Sequence, residues 1–423
     1  MSLKFRLIVM NFLQFFVWGC WLITIGAYWF QTKEWSGAQF GAIYSTMGIA
    51  ALFMPSIAGI IADKWINAER LYGLLHLLGA VVLFTVPLVD DPATMFWVML
   101  LNMCFYMPTI SLAITVAYSS LKDGGGEIVR DYPPIRVWGT IGFIVALWTI
   151  SLLHLETTSG QFYVASGAAV VLGLFAFTLP RCPPRYEKRS TSVIDALGLR
   201  SFALFRNGQM AVFFIFAMLL GAALQLTNAY GDTYLHDFAN VPAYADSLAV
   251  QYPAIVMSIS QISETLFILA IPFFMIRFGI KTVMIISMIA WVLRFGLFAY
   301  GNPGDGLWMI IVSCIVYGMA FDFFNISGSM FVESQSDASI RASAQGLFMM
   351  MTNGFGAVLG SVVSGLVIDA YFTDAAGTMD WRGIWLSFAG YSLVVLVLFA
   401  LLFKHKHERM PGRAPNIGDM VAP

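Results

Sequence analysis

Runs of about 20 apolar residues recur along the whole chain, separated by short charged or turn-forming clusters. Each run is long enough to cross a hydrocarbon layer of roughly 30 Å as a helix. Lipid offers backbone N–H and C=O groups no water, so a spanning segment must be a helix or part of a closed barrel. The ten-residue alternation of barrel strands is missing, and 59% hydrophobic with 11% charged residues is far from the composition of a soluble domain. The fold class expected is an all-α polytopic membrane protein. Cutting at the charged clusters predicts twelve spans: 6–30, 38–62, 70–89, 93–120, 134–154, 160–180, 209–231, 252–276, 281–300, 307–331, 342–370 and 384–403. The first run is longer than a signal-peptide core and lacks a small-residue cleavage site, so it is expected to be a retained span.

The basic residues supply an independent test. All but four of the 23 lysines and arginines fall on the side shared by the N-terminus and the segment RCPPRYEKRSTSVIDALGLRSFALFRNGQ. Lys33 and Arg382 lie on the other side, and Arg136 and Arg294 lie near or within spans. Adding or dropping one span destroys this asymmetry, so an even number of spans with both termini cytoplasmic is expected. That basic segment divides the chain near its midpoint. The expected organisation is a six-helix bundle over 1–180, a cytoplasmic connector over 181–208, a second six-helix bundle over 209–404 and a short cytoplasmic tail over 405–423. Cys20, Cys104, Cys182 and Cys314 show no metal-ligand spacing, so neither a metal nor a disulfide is expected. A net charge of -1 provides no basic field for nucleic acid.

Polar groups inside apolar runs are functional candidates because a central charge costs about 2.5–3.5 kcal/mol or more. In SISQISETLFILAIPFF, Ser260, Gln261 and Glu264 sit three to four residues apart, on one side of a helix that can face a shared cavity. Glu264 is a candidate to gain and lose a proton as its access to water changes; a protonated acid bonded to a neighbouring helix is the structural alternative. Asp322, flanked by Phe321, Phe323 and Phe324, can carry the proton or bond a sugar hydroxyl; with Asn325 beside it in the same span, a purely interhelical bond is the alternative. Arg136 is either a fixed cation in the cavity or an ordinary snorkelling arginine. Gln225 and Asn228 in LQLTNAYGD share one helix side, and a side-chain amide presents the adjacent donor and acceptor that match a nucleobase edge. Such amides also join helices at about 0.6–2 kcal/mol each. A proton-relay role for His76 or His154 is the lesser reading.

Two stretches suggest a repeat: GIIADKWINAERL after span two against PFFMIRFGIKTVM after span eight, and IRVWGTIG at span five against IRASAQGL at span eleven. Two inverted or parallel repeats around a central cavity are typical of secondary transporters. GIIADKW resembles the loop signature of the major facilitator superfamily, although Ile66 replaces its second glycine and Ile276 stands where the second copy has its acid. More specific are FLQFFVWGCWL (12–22), YPPIRVWGTIGF (132–143), SISQISETLFIL (258–269), AFDFFNISGS (320–329) and IRASAQG (340–346). In this order they resemble the bacterial nucleoside:proton symporters over essentially the whole chain. The resemblance implies the major facilitator fold, with two pseudo-symmetric six-helix bundles, and proton-driven nucleoside import across a bacterial inner membrane.

It further implies that Arg136, Thr140, Phe143, Gln225, Asn228, Gln261, Glu264, Phe321 and Asp322 line the substrate pocket. Glu264 and Asp322 become the proton-coupling candidates, and Phe143 and Phe321 aromatic faces for the base. Asp63 and Lys64, in the turn after span two, are implied to latch neighbouring helices in the outward-facing state; a solvated, topology-setting charge pair is the alternative. The partners expected are nucleosides, protons and lipid, with no cofactor and a monomeric chain. A carrier restricted to xanthosine, a sugar or drug carrier of the same superfamily, and a membrane nucleoside sensor are the competing readings. An enzyme is not expected, since no Ser–His pairing, metal set or nucleotide loop is evident.

Overall fold

The computed structural model describes residues 2–184, 199–336 and 341–404. Most of the basic connector, with Arg185, Lys188 and Arg189, and the tail over 405–423 lie outside the described residues. Among the described residues the chain is almost wholly helical. Nine helices among the described residues are long and apolar enough to cross a membrane, and Gly160–Ala176 is a shorter apolar one.

The first half comprises α1 (Leu3–Gly19), α2 (Gly37–Lys64), α3 (Ala68–Thr85), α4 (Pro92–Asp123), α5 (Ile128–Leu152) and α6 (Gly160–Ala176). Turn residues set where these helices begin. Ser36 and Gln39 form a reciprocal capping box at α2, and the Asp91 carboxylate accepts the Thr94 amide at α4, satisfying donors that a helix start leaves free. In the second half α7 is Gly208–Asp237. It is capped by Asn207, whose side chain accepts from the Gln209 and Met210 amides. The segment Pro253–Tyr300 is continuous in hydrogen bonding but breaks at Gly279, where φ is 76° and ψ is 169°. Its arms are α8 (253–278) and α9 (280–300). A left-handed φ favours glycine because a Cβ would crowd the backbone, so the basic turn read between spans eight and nine is built on this residue. Then come α10 (Leu307–Gln335), α11, in which Arg341–Met349, a π-helical turn Met350–Gly356 and Ala357–Tyr371 run on from one another, and α12 (Trp381–Leu402).

Helices pack chiefly within their own half: α1 with α5 and α6, α2 with α4, α3 with α4 and α6; then α7 with α11 and α12, and α10 and α12 with the α8–α9 segment. The halves meet where α2 packs on α11 and α5 on α8. Glycines permit the first contact. A Cβ on Gly41 would overlap the Ser361 carbonyl, and one on Gly365 the Gly37 carbonyl, so the two backbones touch directly, as small residues allow in lipid.

The sequence ends span seven at residue 231, but α7 runs six residues further, to Asp237. The extra turns are packed rather than solvated: the Tyr234 hydroxyl donates to the Phe298 and Gly301 carbonyls, and Tyr234 lies against Trp381 and Trp385. Asp232 is consequently buried, so Glu264 and Asp322 are not the only carboxylates inside the protein.

Candidate functional site

Each half is held by a polar hub. In the first, the Gln14 amide of α1 donates to Thr109 of α4 at 2.9 Å and accepts from Tyr72 of α3 at 2.7 Å, with His76 Nε2 at 2.8 Å. His76 is thereby committed to a buried helix-joining bond and does not reach the cavity. His154 is in the loop after α5, its ring tilted 35° against that of Tyr252 with the centres 5.3 Å apart.

The hub of the second half is Arg294. Its Nε donates to Thr227 Oγ1 at 2.7 Å and its Nη1 to the Ser313 carbonyl at 2.8 Å and Ser260 Oγ at 3.3 Å. The guanidinium lies between the rings of Phe298 and Tyr317, 5.0 and 4.6 Å from their centres. Arginine's fixed fork suits such a multi-helix clamp. Ser260 therefore faces this hub and is buried, instead of the cavity that its spacing from Glu264 suggested.

Between the halves lies a cavity of about 810 Å³, within the roughly 300–1,000 Å³ of small-molecule sites. Arg136, Thr140 and Phe143 of α5, Gln225 and Asn228 of α7, Gln261 and Glu264 of α8 and Phe321 of α10 all line it. Asp322 does not. It lies behind the wall, 5% exposed, with Oδ2 lacking a hydrogen-bond partner and no bond to Asn325, within electrostatic reach of Glu264. The two neighbours on α10 point to different surroundings because successive helical residues are about 100° apart.

Glu264 is also within electrostatic reach of Arg136, whose guanidinium is 4.2 Å from the centre of the Phe15 ring. No salt bridge joins Arg136 and Glu264 among the described residues. Gln225 is 3% exposed and its Oε1 has no partner, an acceptor left for a ligand or water because a buried carbonyl rarely stays unpaired. Aromatic faces come from both sides: Trp18 meets Phe143 edge-on at 6.5 Å, and Tyr317 stacks on Phe321 at 6.0 Å and 8°. Phe15, Trp18 and Tyr317 are wall residues without a sequence signal, since an aromatic in an apolar run does not reveal which way it faces; Asn353, also on the wall, is a polar residue in a span that the sequence reading does not single out.

At the end bearing the N-terminus and the connector the cavity reaches Ser56, Ile114 and Ser343. The far end is closed. Asp369 of α11 accepts the Gly37 and Ala38 amides at the start of α2, at 2.6 and 2.7 Å, and Trp148 Nε1 of α5 donates to Ser258 Oγ of α8 at 2.9 Å. Asp63 and Lys64, at the connector end of α2, are exposed and form no ion pair among the described residues.

Two helical halves around a polar, aromatic cavity, closed at one end, define a membrane transporter of the major facilitator fold. Residues 1–408 match the nucleoside H+ symporter family, and the chain belongs to it. It is 56% identical to the xanthosine permease of Escherichia coli, covering 96% of this chain and 97% of that protein. It is 53% identical to the Escherichia coli nucleoside permease NupG, covering 97% and 98%. The crystal structure of NupG superposes with a TM-score of 0.90 at 52% identity, covering 96% of this chain and all of that one. The POT family transporter PepTSo, 12% identical with a TM-score of 0.71, shares the fold.

Proposed function

We propose that the chain imports nucleosides by alternating access, with the connector end in the cytoplasm, twelve membrane crossings and two six-helix bundles that rock about the cavity. The sidedness is supported by the asymmetry of lysine and arginine, and with it the structure corresponds to an inward-open state. The observation that carries this reading is the convergence of eight side chains, from four helices in both halves, on one cavity sealed at its far end. Amides of Gln225, Asn228 and Gln261 offer donor and acceptor pairs to a base edge. Phe143 and Phe321 offer faces to its ring, and Thr140 and Arg136 offer groups to ribose hydroxyls or base carbonyls.

Glu264 is proposed to couple the proton. It sits on the cavity wall between a cation in the first half and Asp322 in the second, so its charge state alters the attraction across the halves. Asp322 is proposed as its partner behind the wall, and Asp63 and Lys64 as charges that engage the opposite bundle only when the connector end closes. Close relatives named for xanthosine and for nucleosides at large leave a broad nucleoside carrier as the primary reading and a xanthosine-restricted one as the second.

The deciding experiment uses the full chain in vesicles with an imposed pH gradient. Labelled uridine, adenosine and xanthosine accumulate against their gradients, and a protonophore abolishes accumulation while leaving exchange. Accumulation that survives the protonophore would remove proton coupling; competition by all nucleosides, or by xanthosine alone, separates the two substrate readings.

A further inference from the structure

The closed far end contains a titratable group that the transport site does not use. Glu156, in the loop between α5 and α6, belongs to the first half; Asp232 and His236, one turn apart near the end of α7, belong to the second. Glu156 Oε2 is 3.0 Å from His236 Nε2, and Asp232 Oδ2 is 3.5 Å from the same nitrogen. The other Glu156 oxygen accepts the Ala254 amide at the start of α8, 3.0 Å away. Gln161 Nε2 of α6 donates to the Glu156 backbone carbonyl and fixes the loop. One carboxylate thus ties the first half to two helices of the second.

The cluster is short of positive charge. Asp232 is fully buried and neither of its carboxylate oxygens has a hydrogen-bond donor. Glu156 is 2% exposed. The charged groups facing the imidazole are Glu156 from the α5–α6 loop and Asp232 and Asp237 from α7 itself. Asp237 is already engaged by Gln31 and Trp381. Among the described residues no lysine or arginine forms an ion pair with Glu156, Asp232 or His236. Two buried carboxylates around a neutral imidazole are poorly compensated. Protonation makes the ring a cation whose Nε2–H faces Glu156 Oε2 and Asp232 Oδ2, supplying the positive charge the cluster is short of and the donor Asp232 lacks. The His236 side chain is 13% exposed, so the far-side solution is close at hand.

We propose that Glu156, Asp232 and His236 form a second proton-binding site, separate from the cavity carboxylates, in which a proton taken from the outer solution onto His236 Nε2 locks the two halves together at the outer end. The inference rests on the sidedness given above. Binding adds H+ to the imidazole lone pair and breaks no bond; when the halves part, imidazolium and carboxylates meet water and the proton returns to the outer solution. Outer acidity therefore favours the outward-closed state and alkalinity releases it. This proton need not cross the membrane, which distinguishes the site from the symport site.

The test places spin labels on the full-length protein at the outer ends of the two halves, Ala93→Cys and Asp305→Cys, with the four native cysteines replaced. Glu264→Gln and Asp322→Asn are included so that the cavity acids contribute no titration. Between about pH 9 and about pH 5, which bracket the ordinary histidine value near 6.5, the closed-to-open ratio should rise about tenfold, with a slope of at most tenfold per pH unit for one proton. His236→Gln should flatten the response and Glu156→Gln reduce it. A flat response without the His236 substitution, or an unchanged one with it, overturns the site. Proton-driven uptake by the unlabelled protein is scored separately, so loss of symport and loss of the lock are read independently.

Discussion

Two cavity-wall residues, Glu264 and Gln225, and the buried Arg294 behind them make the sharpest single-site predictions. Glu264→Gln keeps the side chain's shape and removes its titration, so nucleoside exchange should persist while pH-driven accumulation falls to the equilibrium level; unchanged accumulation would assign Glu264 a structural role. Gln225→Ala removes an unpaired acceptor from the wall, and a base left without its partner should bind about 1–3 kcal/mol more weakly, five- to 150-fold in Kd. The loss should differ between purine and pyrimidine nucleosides in a binding titration. Arg294 acts through others: its fork holds Thr227, Ser260 and the Ser313 carbonyl, neighbours of Asn228 and Gln261 and of the helix bearing Tyr317. Arg294→Lys keeps the charge but not the fork. It should lower Tm and weaken nucleoside binding about tenfold, one lost charge-assisted bond at roughly 1.5 kcal/mol, while the pH dependence of transport stays in place.

At the level of elements, the seal at the far end of the cavity depends on the start of α2 meeting α11. Asp369 accepts two free amides and faces the positive end of the α2 dipole, a combination worth about 1–2 kcal/mol. Asp369→Ala should shift the closed-to-open ratio at the far end about tenfold toward open, measured by inter-label distance. Gly41→Leu should do the same by force, because the Ser361 carbonyl occupies the space a side chain needs. These features had different visibility. The basic turn at Gly279 was legible because turn chemistry is local, whereas the caps at Ser36 and Asp91 emerged only with the helices they start. The true end of α7 was not, since Tyr234 and its aromatic neighbours come from segments more than sixty residues apart.

For the whole molecule, the charge asymmetry makes a topology prediction. In a cysteine-free background, Lys33→Cys should react with a membrane-impermeant thiol reagent applied outside intact cells, and Lys64→Cys only after permeabilisation. The reverse pattern would invert the chain and the direction assigned to the cavity.

The sequence by itself determined the membrane class and a set of polar side chains that lipid does not tolerate without a purpose. Hydropathy and desolvation act on each residue separately, so they can be read one position at a time. Motif resemblance added the nucleoside family, which the close relatives then bore out. Tertiary structure decided which neighbour faces where: Phe321 onto the wall and Asp322 behind it, Gln261 to the cavity and Ser260 to Arg294. It alone brought Glu156 to His236 and Asp369 to Gly37, pairs whose members lie in opposite halves of the chain. Such contacts depend on the packing of the two bundles, which no local pattern of residues encodes.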